Sequence, residues 1–472
     1  MKKLRNSSIS RIGKEFALST ADLRRIMREF RSEMAKGLAG GKSSLKMIPT
    51  YVDKPTGREK GDFIALDLGG TNFRILEIAL KGGGRTGDPR IMKFVLQKRH
   101  VNGQGSELFD FIAGCMRKFL DKYKITDDKL DLGFTFSFPV NQTAVASGTL
   151  VCWTKDFSAK GVVGQDVVAL LVRAFRKKGV DLVNVSALVN DTVGTLVAKA
   201  YQDTDCDIGI ILGTGTNACY RESLSGIRKW RGPSTKSGKM LVNTEWGNFN
   251  KLKLNRYDTF LDAHSENKGY QILEKAVSGM YLGEIARLVL VNLVKDGMLF
   301  GEMGSKVFKN AAGGTKLFRS EYASEILGDR SAGLAATGRI LASLGVRKTS
   351  TEERRVVRDV CAIVRRRAAR IATAALGAVI LEMDGRLVRR HTAAIDGSVY
   401  EKMPGFAADM RAALVELFGS RASRIKLTLA KDGSGKGAAI VAAVAAGENR
   451  DSAHFSCGES VGKMGAVPII KS

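Results

Sequence analysis

The chain has 472 residues, 44% of them hydrophobic, which predicts about three domains or two large lobes with ample material for a core. Its formal net charge of +27 at pH 7 is compatible with binding to nucleic acid, to an anionic membrane surface or to anionic substrates. The six cysteines include no CxxC pair and there are four histidines, a composition that favours neither a zinc site nor a disulfide framework. Because no apolar run approaches the roughly 18 residues of a membrane span and no signal-peptide core follows the N-terminus, we expect a cytoplasmic protein with reduced thiols.

The N-terminal region predicts one amphipathic helix after a loosely ordered start. Residues 1–18 are basic and polar and are expected to be loosely ordered at their start. Ser19 is placed to cap a helix, with Asp22 at the third helical position. The glycine-rich segment 37–43 ends this helix, and Lys36 stands where a phosphate-binding P-loop would require glycine. The apolar stripe of the helix consists of Leu23, Ile26, Met27, Phe30, Met34 and Leu38.

A strand–turn–strand pattern at residues 63–78 is the first candidate functional element. The apolar run 63–68 predicts a buried strand, and the Gly-Gly-Thr-Asn sequence at 69–72 predicts a tight turn in which glycine supplies a positive φ. Backbone N–H groups of the turn and the Thr71 hydroxyl could approach a phosphate closely, and Asp67 could hold Mg²⁺ through water. Taken alone, the pattern is also that of an ordinary β-turn.

Two further segments place polar residues where a strand ends or a helix begins. The run 130–138 alternates as a strand until Pro139 stops it, which leaves Ser137 near the strand's end, where α/β sheets carry ligands. After a predicted helix and an apolar strand, Asn190 and Asp191 lie where the next helix begins. An aspartate at such a position is also a common helix N-cap.

Residues 207–220 repeat the pattern of the first hairpin. An apolar strand is followed by the Gly-Thr-Gly-Thr turn at 213–216, then Asn217, then a second strand. We interpret the two hairpins as copies of one motif, each in one of two duplicated lobes. Two such hairpins that face one another across a cleft would hold a polyphosphate from both sides, so the repeat favours a nucleotide-binding function.

The C-terminal half contributes further polar segments. Glu245 lies in the run 243–247, and Glu274 lies on a helix that is expected to continue through Glu284. The segments 396–398 and 432–437 each follow an apolar strand. The second of them opens an Ala-rich helix at 438–446 whose first N–H groups form an anion site, although Ala430 stands where a Walker A motif requires glycine. Residues 447–472 have the composition of a polar, weakly patterned tail.

An arginine-rich segment at 354–371 carries basic and apolar residues at helical spacing. This pattern predicts a helix with a solvated basic face. No aromatic interleaving or RNA-binding signature accompanies it, so we favour a solvated face over a polyanion-binding site, which stays open. The arginines are Arg354, Arg355, Arg358, Arg365, Arg366, Arg367 and Arg370.

Several of these segments, in this order, resemble motifs of the hexokinases, a family of the actin-like sugar-kinase ATPase superfamily. The resemblance covers roughly residues 19–446. Asp156 departs from the pattern, because it stands where the family usually has glycine and adds a negative charge beside the sugar loop. The matching segments are 66–74 and 213–220 for the two phosphate motifs, 133–139 and 153–155 for sugar binding, 190–195 for catalysis and 432–439 for adenosine.

The resemblance implies a set of site residues. Asp191 is implied as the general base that takes the proton from the 6-hydroxyl of the sugar, with Lys155 beside the reaction as a positive charge. The hexose hydroxyls would be held by Ser137, Thr154, Lys155, Asn190, Asp191, Asn217, Glu245 and Glu274. The ATP contacts would come from Asp67, Gly69, Gly70, Thr71, Asn72, Arg74, Gly213, Thr214, Gly215, Thr216, Ser398, Gly433 and Ser434.

The resemblance also implies the fold and the reaction. We expect an α/β protein with the actin-like, ribonuclease H-like ATPase fold, in which two duplicated sheet-and-helix lobes surround a cleft that holds the hexose and MgATP. The small lobe is expected at 61–190 with 433–446, the large lobe at 19–60 with 191–432, and terminal extensions at 1–18 and 447–472. The expected reaction transfers a phosphoryl group from ATP to the 6-hydroxyl of glucose and related hexoses, with Mg²⁺. Closure of the lobes on the sugar would exclude water as the acceptor.

Two alternatives stay open at this point. One is a hexose sensor on the same fold that binds sugar without turnover, and the other is additional binding of polyanions or a membrane surface through the basic charge. No specific nucleic-acid partner is expected. The sequence leaves open the preferred hexose, inhibition by product, and whether the chain forms a homo-oligomer.

Overall fold

A computed structural model of the chain describes residues 2–69, 72–126, 129–153, 157–301, 304, 306–309, 317–431 and 433–458. The chain divides into two compact units. The larger unit comprises Met1–Lys54 and Asn190–Gly437, and the smaller unit comprises Pro55–Val189 and Ala438–Ser472. Each unit contains its own mixed β-sheet and a hydrophobic core.

The helices and strands are as follows. The helices are α1 (Lys2–Phe16), α2 (Thr20–Leu38), α3 (Lys98–Asn102), α4 (Gly105–Tyr123), α5 (Val167–Lys177), α6 (Asp191–Ala200), α7 (Arg256–Ala263), α8 (Ile272–Val277), α9 (Gly279–Lys295), α10 (Lys306–Lys309), α11 (Ser320–Gly328), α12 (Ala335–Ser343), α13 (Thr351–Met383), α14 (Ser398–Lys402), α15 (Phe406–Phe418) and α16 (Gly433–Gly458). The strands are β1 (Ile48–Pro49), β2 (Lys60–Leu68), β3 (Asn72–Gly82), β4 (Arg85–Thr86), β5 (Arg90–Val95), β6 (Leu130–Phe136), β7 (Val140–Ala144), β8 (Ser147–Leu150), β9 (Val183–Val189), β10 (Cys206–Leu212), β11 (Thr216–Ser223), β12 (Lys239–Asn243), β13 (His391–Asp396) and β14 (Ile425–Leu429).

The sheet of the smaller unit is built on the hairpin of β2 and β3, which confirms the first predicted hairpin. The two strands pair antiparallel, and the last pair before the turn is Leu68 with Phe73. Beyond β2 lie the parallel strands β6 and β9, and beyond β3 lie the antiparallel strands β4 and β5. Residues 63–66 of β2 are buried on both faces, as expected for a strand inside a covered sheet.

The sheet of the larger unit repeats this pairing pattern. β10 and β11 form an antiparallel hairpin that ends at the pair Leu212 and Thr216, which confirms the second predicted hairpin. Beyond β10 lie the parallel strands β13 and β14, and beyond β11 lie the antiparallel strands β12 and β1. The shared pattern agrees with the predicted duplication of a sheet-and-helix unit.

The N-terminal segment contains two helices, one of which the sequence analysis missed. The cap of α2 is as predicted, because Asp22 N–H donates to Ser19 Oγ (3.1 Å) and Ser19 N–H donates to Asp22 Oδ2 (2.9 Å). The sequence analysis predicted no helix before Ser19, whereas α1 spans Lys2–Phe16 and buries Ile12 and Phe16 in the core of the larger unit. Their helical spacing outweighs the polar composition around them.

The C-terminal helix is also longer than predicted. α16 begins at Gly433, ahead of the Ala-rich run, and continues to Gly458. Residues 447–458, which were predicted to begin a polar and weakly patterned tail, therefore belong to this helix. Residues 459–472 lie outside the part of the chain that the structure describes.

The arginine-rich segment forms α13, but its arginines do not form one solvated face. The side chain of Arg367 is only 5% exposed, and its guanidinium donates two hydrogen bonds to Asp258 of α7, at 2.8 and 2.6 Å. Arg366 remains exposed to solvent. The prediction is wrong for the paired arginines because their acidic partners come from distant segments, which local charge patterning cannot show. Two further arginines pair with acids of α15, Arg365 with Asp409 and Arg370 with Glu416.

Candidate active site

The first hairpin carries a charged pair on its strands. Asp67 and Arg74 are register partners, and the Nε and Nη2 atoms of Arg74 lie 3.0 and 2.9 Å from Asp67 Oδ2. The two side chains are 12% and 19% exposed, so water screens this pair only partly. The guanidinium therefore fixes the direction of the Asp67 carboxylate beside the turn.

Ser137 lies next to the same turn. It follows the last residue of β6, and its N–H donates to the carbonyl of Leu68 at 3.1 Å. A Cβ atom on Gly69 would lie 3.3 Å from Ser137 Oγ, so glycine permits this close approach. The prediction that glycine supplies a positive φ in this turn is wrong for Gly69, whose φ lies outside the left-handed region.

Several predicted site residues lie outside the described residues. These are Gly70, Thr71, Thr154 and Lys155, together with the departing Asp156. For Asn72 the structure describes the backbone, as the first residue of β3. The functions predicted for these side chains stay predictions.

Asn190 and Asp191 form the start of α6 in the larger unit. Asn190 is the N-cap, and its Oδ1 accepts hydrogen bonds from the N–H and hydroxyl of Thr192 at 3.0 and 2.6 Å. The alternative that Asp191 is itself the N-cap is therefore wrong. Asp191 is the first helical residue, and its carboxylate lies at the positive end of the helix dipole.

Asn217 joins a network of side chains behind this helix start. Its Nδ2 donates to Asn243 Oδ1 (2.8 Å) and Glu245 Oε1 (3.2 Å) and lies 3.5 Å from Asn190 Oδ1. Asn243 Nδ2 also donates to Glu245 Oε1 at 2.8 Å. The Asn217 Oδ1 atom accepts from the N–H groups of Ala218 and Trp246. These contacts fix which end of the Asn217 amide faces the carboxylate.

Glu245 is held in a left-handed backbone conformation, with φ 51° and ψ 49°. A non-glycine residue in this region costs about 1–3 kcal/mol, and such residues cluster at functional sites. Glu245 lies two residues after the end of β12 and directly precedes a single 3₁₀ turn at Trp246–Asn248. The surrounding strand and turn thus impose the conformation that directs its carboxylate to Asn217 and Asn243.

The second glycine turn is held by Glu274. The N–H of Thr216 donates to Glu274 Oε2 at 2.9 Å, and a Cβ atom on Gly215 would lie 2.7 Å from the same oxygen. The hydroxyl of Thr216 accepts from the Trp246 indole N–H at 2.9 Å. Burial, and then the charge of Glu274, raise the pKa of Tyr281 to about 12.

The helix that was expected to run from Glu274 through Glu284 is broken. Ser278 is extended (φ −83°, ψ 156°), so α8 ends at Val277 and α9 begins at Gly279. The N–H groups of Gly279 and Met280 instead donate to the carbonyls of Gly213 and Thr214, at 2.8 and 3.1 Å. The prediction was wrong because these contacts to the turn replace continuation of the helix.

The other predicted nucleotide residues of the larger unit lie at two places. Gly397, with φ 119°, lies against the end of β10, and a Cβ atom on it would lie 2.3 Å from the carbonyl oxygen of Leu212. Ser398 follows it as the first residue of α14. Gly433 and Ser434 begin α16 beside α6, where a Cβ atom on Gly194 would lie 2.6 Å from the Ser434 carbonyl oxygen.

The structure thus brings predicted residues together within each unit. In the larger unit, hydrogen bonds join Asn217 to Glu245 and Thr216 to Glu274, and Asn190 lies beside Asn217. The sequence analysis missed Asn243, which connects Asn217 to Glu245. A signal for it was present, because Asn243 ends β12 and lies in the same polar run, 243–247, as Glu245.

Comparison with known proteins identifies the family. Two sequence models described as hexokinase match residues 8–201 and 207–444. Hexokinase-7 of Oryza sativa subsp. japonica is 44% identical over 450 residues, which cover 92% of this chain and 96% of the rice protein. Hexokinase-2 of Homo sapiens is 40% identical over 442 residues, but these cover 47% of the human protein, so the chain spans about half of its length.

Solved structures agree. A hexokinase from Schistosoma mansoni complexed with glucose superimposes with a TM-score of 0.82 at 37% identity, over 94% of this chain and 99% of that one. A crystal structure of another hexokinase gives a TM-score of 0.79 at 32% identity, over 93% and 99% of the two chains. The chain belongs to the hexokinase family, which confirms the predicted enzyme class and the actin-like ATPase fold class. Among the described residues, no helix has the length and apolar composition to cross a membrane.

Proposed function

We propose that this chain transfers the γ-phosphoryl group of ATP to the 6-hydroxyl of glucose and related hexoses. The observation that carries the proposal is the convergence of Asn190, Asn217 and Glu245 from three separate elements into one hydrogen-bonded group. Amide and carboxylate groups in fixed orientations suit a ligand whose hydroxyls both donate and accept. The similarity to a hexokinase complexed with glucose supports a hexose as that ligand.

In this proposal Asp191 is the general base. It directly follows Asn190 and opens α6, so the proposed base stands on a rigid element next to one of the three converging residues. It would take the proton of the 6-hydroxyl as that oxygen attacks the γ-phosphorus. A positioned base is worth about 10²–10⁴ in rate. Ser137, Thr154 and Lys155 of the smaller unit are proposed to complete the sugar contacts, with Lys155 beside the transferred group.

The nucleotide would be held by the two glycine turns and two further segments. We assign its phosphates to the backbone of residues 69–72 and 213–216, where glycines allow close approach. Ser398, Gly433 and Ser434 are assigned to the rest of the nucleotide. Support comes from Gly397 and Gly213, since a Cβ atom on Gly213 would lie 3.5 Å from Gly397 Cα, which places Ser398 beside the second turn.

The residues present suit a magnesium ion that enters with ATP. No three His, Cys, Asp or Glu side chains cluster as a metal cage among the residues that the structure describes. Mg²⁺ commonly keeps several waters and is held by one or two carboxylates plus substrate phosphates. Asp67, directed by Arg74, is such a carboxylate, and we propose that it holds the ion through water. The bound ion would neutralise charge on the phosphates.

We also propose that the smaller and larger units correspond to the family's small and large lobes. The cytoplasmic location of the chain stays a prediction. One similar rice protein is named a chloroplastic hexokinase and is 42% identical over 437 residues, so members of this family are found in an organelle as well.

The test compares the parent chain with Asp191→Ala and Asp191→Asn. With ATP, Mg²⁺ and glucose, we expect both variants to lose at least about 10² in turnover while glucose binding is roughly retained, because the base acts in the reaction rather than in sugar binding. ADP release and glucose calorimetry measure the two properties. Asp181→Ala, at an exposed aspartate of the smaller unit, is the control and should behave as the parent.

Three outcomes would contradict the proposal. Turnover of Asp191→Ala within tenfold of the parent would exclude Asp191 as the base. A parent that binds glucose without releasing ADP would be a sensor rather than an enzyme. Rapid ATP hydrolysis by the parent in the absence of sugar would contradict the expectation that the sugar completes the site.

A further inference from the structure

A polar cavity lies in the larger unit, away from the candidate active site. Its volume is about 420 Å³. Asp207, near the start of β10, lines it, whereas the glycine turn follows Leu212 at the other end of that strand. At about 3.3 Å per residue, the two ends lie roughly 17 Å apart. The cavity is lined by Lys54, Thr204, Asp205, Asp207, Arg221, Glu222, Ser223, Lys239, Glu382, Met383, Arg389 and Arg390.

Most of the acidic groups of this cavity are already engaged. Asp207 Oδ2 lies 2.8 Å from His391 Nδ1, and Glu382 Oε2 lies 3.1 Å from Arg31 Nε. Glu222 accepts the hydroxyl of Tyr220 at 2.7 Å, and burial raises the pKa of its carboxyl. The remaining acid, Asp205, is exposed to solvent. Asp207 and Glu382 are thus paired with basic side chains, whereas Glu222 and Asp205 have no basic partner within 4.0 Å among the described residues.

The basic groups are less well compensated. Arg221 is paired with Asp53 at 2.5 and 2.6 Å. Lys54, Lys239 and Arg390 have no carboxylate within 4.0 Å among the described residues, and Arg389 Nε lies at that limit from Asp384. The cavity thus carries an excess of positive charge in the absence of a ligand.

Lys54 is a basic residue of the lining whose pKa is lowered by its surroundings. It is half-buried, and its ammonium donates to the carbonyl oxygen of Thr204. Burial, and then the neighbouring charge of Arg221, lower the pKa of Lys54. An anion in the cavity would favour the charged ammonium. In addition, Asp207 Oδ1 is buried and has no hydrogen-bond partner among the described residues, so it can accept from a ligand.

We propose that this cavity binds a small hydroxylated anion, whose phosphate or carboxylate contacts Lys54, Lys239, Arg389 and Arg390 and whose hydroxyl donates to Asp207. The volume lies within the range of about 300–1,000 Å³ that small-molecule sites occupy. The mixed lining suits such a ligand better than a simple anion, because the basic groups hold the charge and the free carboxylate oxygen holds the hydroxyl. The inference goes beyond the proposed catalytic function and does not depend on it.

The experiment measures binding of three probes by calorimetry at constant ionic strength. The probes are inorganic phosphate, citrate and glycerol 3-phosphate, and saturating Mg²⁺ with a non-hydrolysable ATP analogue occupies the nucleotide site throughout. The parent is compared with Arg389→Gln/Arg390→Gln, which removes two exposed charges of the lining. The matched control is Arg24→Gln/Arg28→Gln, which removes two exposed charges of α2 outside the cavity.

We expect saturable binding of glycerol 3-phosphate or citrate to the parent, tenfold or more weaker in the cavity variant and unchanged in the control. A preference for glycerol 3-phosphate indicates a phosphate ligand, and a preference for citrate indicates a carboxylate. Absence of saturable binding to the parent, or equal weakening in both variants, would overturn the proposal. Tighter binding of inorganic phosphate than of both hydroxylated probes would overturn the assignment of a hydroxyl to Asp207.

Discussion

The two glycine-rich hairpins have the same strand pairing but different side chains beside their turns. In the first, Asp67 and Arg74 face each other as a charged pair. In the second, the corresponding position before the Leu-Gly step is Ile211, and its partner across the hairpin is Asn217. The first hairpin therefore presents a carboxylate beside its turn, whereas the second presents an amide to the group proposed to bind the sugar.

The hydrogen bonds that hold the two turns also differ. Behind the second turn, Glu274 accepts from Thr216 N–H and the start of α9 donates to the turn carbonyls. Beside the first turn lies Ser137, whose N–H donates to Leu68. In the proposed function, the same type of turn holds phosphate in both hairpins, and the return strand and its neighbours determine whether the hairpin also contacts the sugar. We propose that the second hairpin does both and that the first serves the nucleotide.

Replacement of Glu274 should give the largest effect, because this carboxylate both holds the second turn and is assigned to the sugar. Hydrogen bonds to charged groups contribute about 1.5–3 kcal/mol each, so Glu274→Ala should lower kcat/KM for glucose by at least about 10². Steady-state kinetics with glucose and with ATP measure the effect. Glu274→Gln keeps an acceptor for the Thr216 N–H, so its kcat/KM for glucose should fall less than that of Glu274→Ala. A fall of less than fivefold for Glu274→Ala would show that the turn does not depend on it.

Asn243 tests whether the second hairpin needs a positioning residue. Asn243→Ala removes the bridge between Asn217 and Glu245, and KM for glucose should rise by about tenfold with little change in KM for ATP. Asn243→Asp should raise KM for glucose further, because a second carboxylate would face Glu245 in place of an amide donor. The exposed Asn250→Ala is the control. Equal effects of Asn243→Ala on both KM values would indicate a general loss of structure instead.

Arg74 tests the first hairpin alone. Arg74→Met frees the Asp67 carboxylate from its partner, and we expect KM for MgATP to rise by roughly three- to tenfold while KM for glucose stays within twofold. Arg74→Lys retains the positive charge but not the contact through two nitrogen atoms. Its KM for MgATP should therefore lie between those of Arg74→Met and the parent. A parallel rise in KM for glucose would remove the distinction between the two hairpins.

His391 tests how the second hairpin is anchored at its far end, and this effect should be the smallest. Burial alone would lower the pKa of His391, but the hydrogen bond and charge of Asp207, followed by Asp384, raise it above its ordinary value. The stabilisation by charged His391 is then fully present below its ordinary pKa and is lost as pH rises through the raised value. Burial would raise the pKa of Asp384, but the hydrogen bonds from the N–H of Arg389, from His391 and from the N–H of Val388 lower it overall. The stabilisation by ionised Asp384 is therefore lost only as pH falls through that lowered value.

The corresponding measurement is the melting temperature of the parent and of His391→Gln at about pH 5.5 and about pH 9, a range in which carboxylates of ordinary or lowered pKa stay ionised. The difference between the two proteins should be larger at the lower pH by about 2 °C. A difference that is independent of pH would show that His391 acts through packing only.

Local pattern predicted the hairpins and the start of α6, because glycine turns, apolar strands and capping residues act within a few residues of one another. It predicted Asn190 and Asp191 at a helix start, although it did not decide which of them is the cap. It missed Asn243, whose function depends on pairing between β11 and β12. It also misplaced the arginines of α13, because whether a charge is solvated or paired depends on residues that only tertiary folding brings close.

The packing of α2 against α13 has a consequence for synthesis of the chain. Both helices belong to one core, in which Leu23 and Phe30 are fully buried together with Val357 and Val360. A ribosome that adds about 5–20 residues per second needs roughly 15–60 s to make the intervening segment of about 300 residues. During that time the apolar face of α2 has emerged and lacks its final partner. The order of the segments along the chain therefore sets how long this apolar face waits for α13 during synthesis.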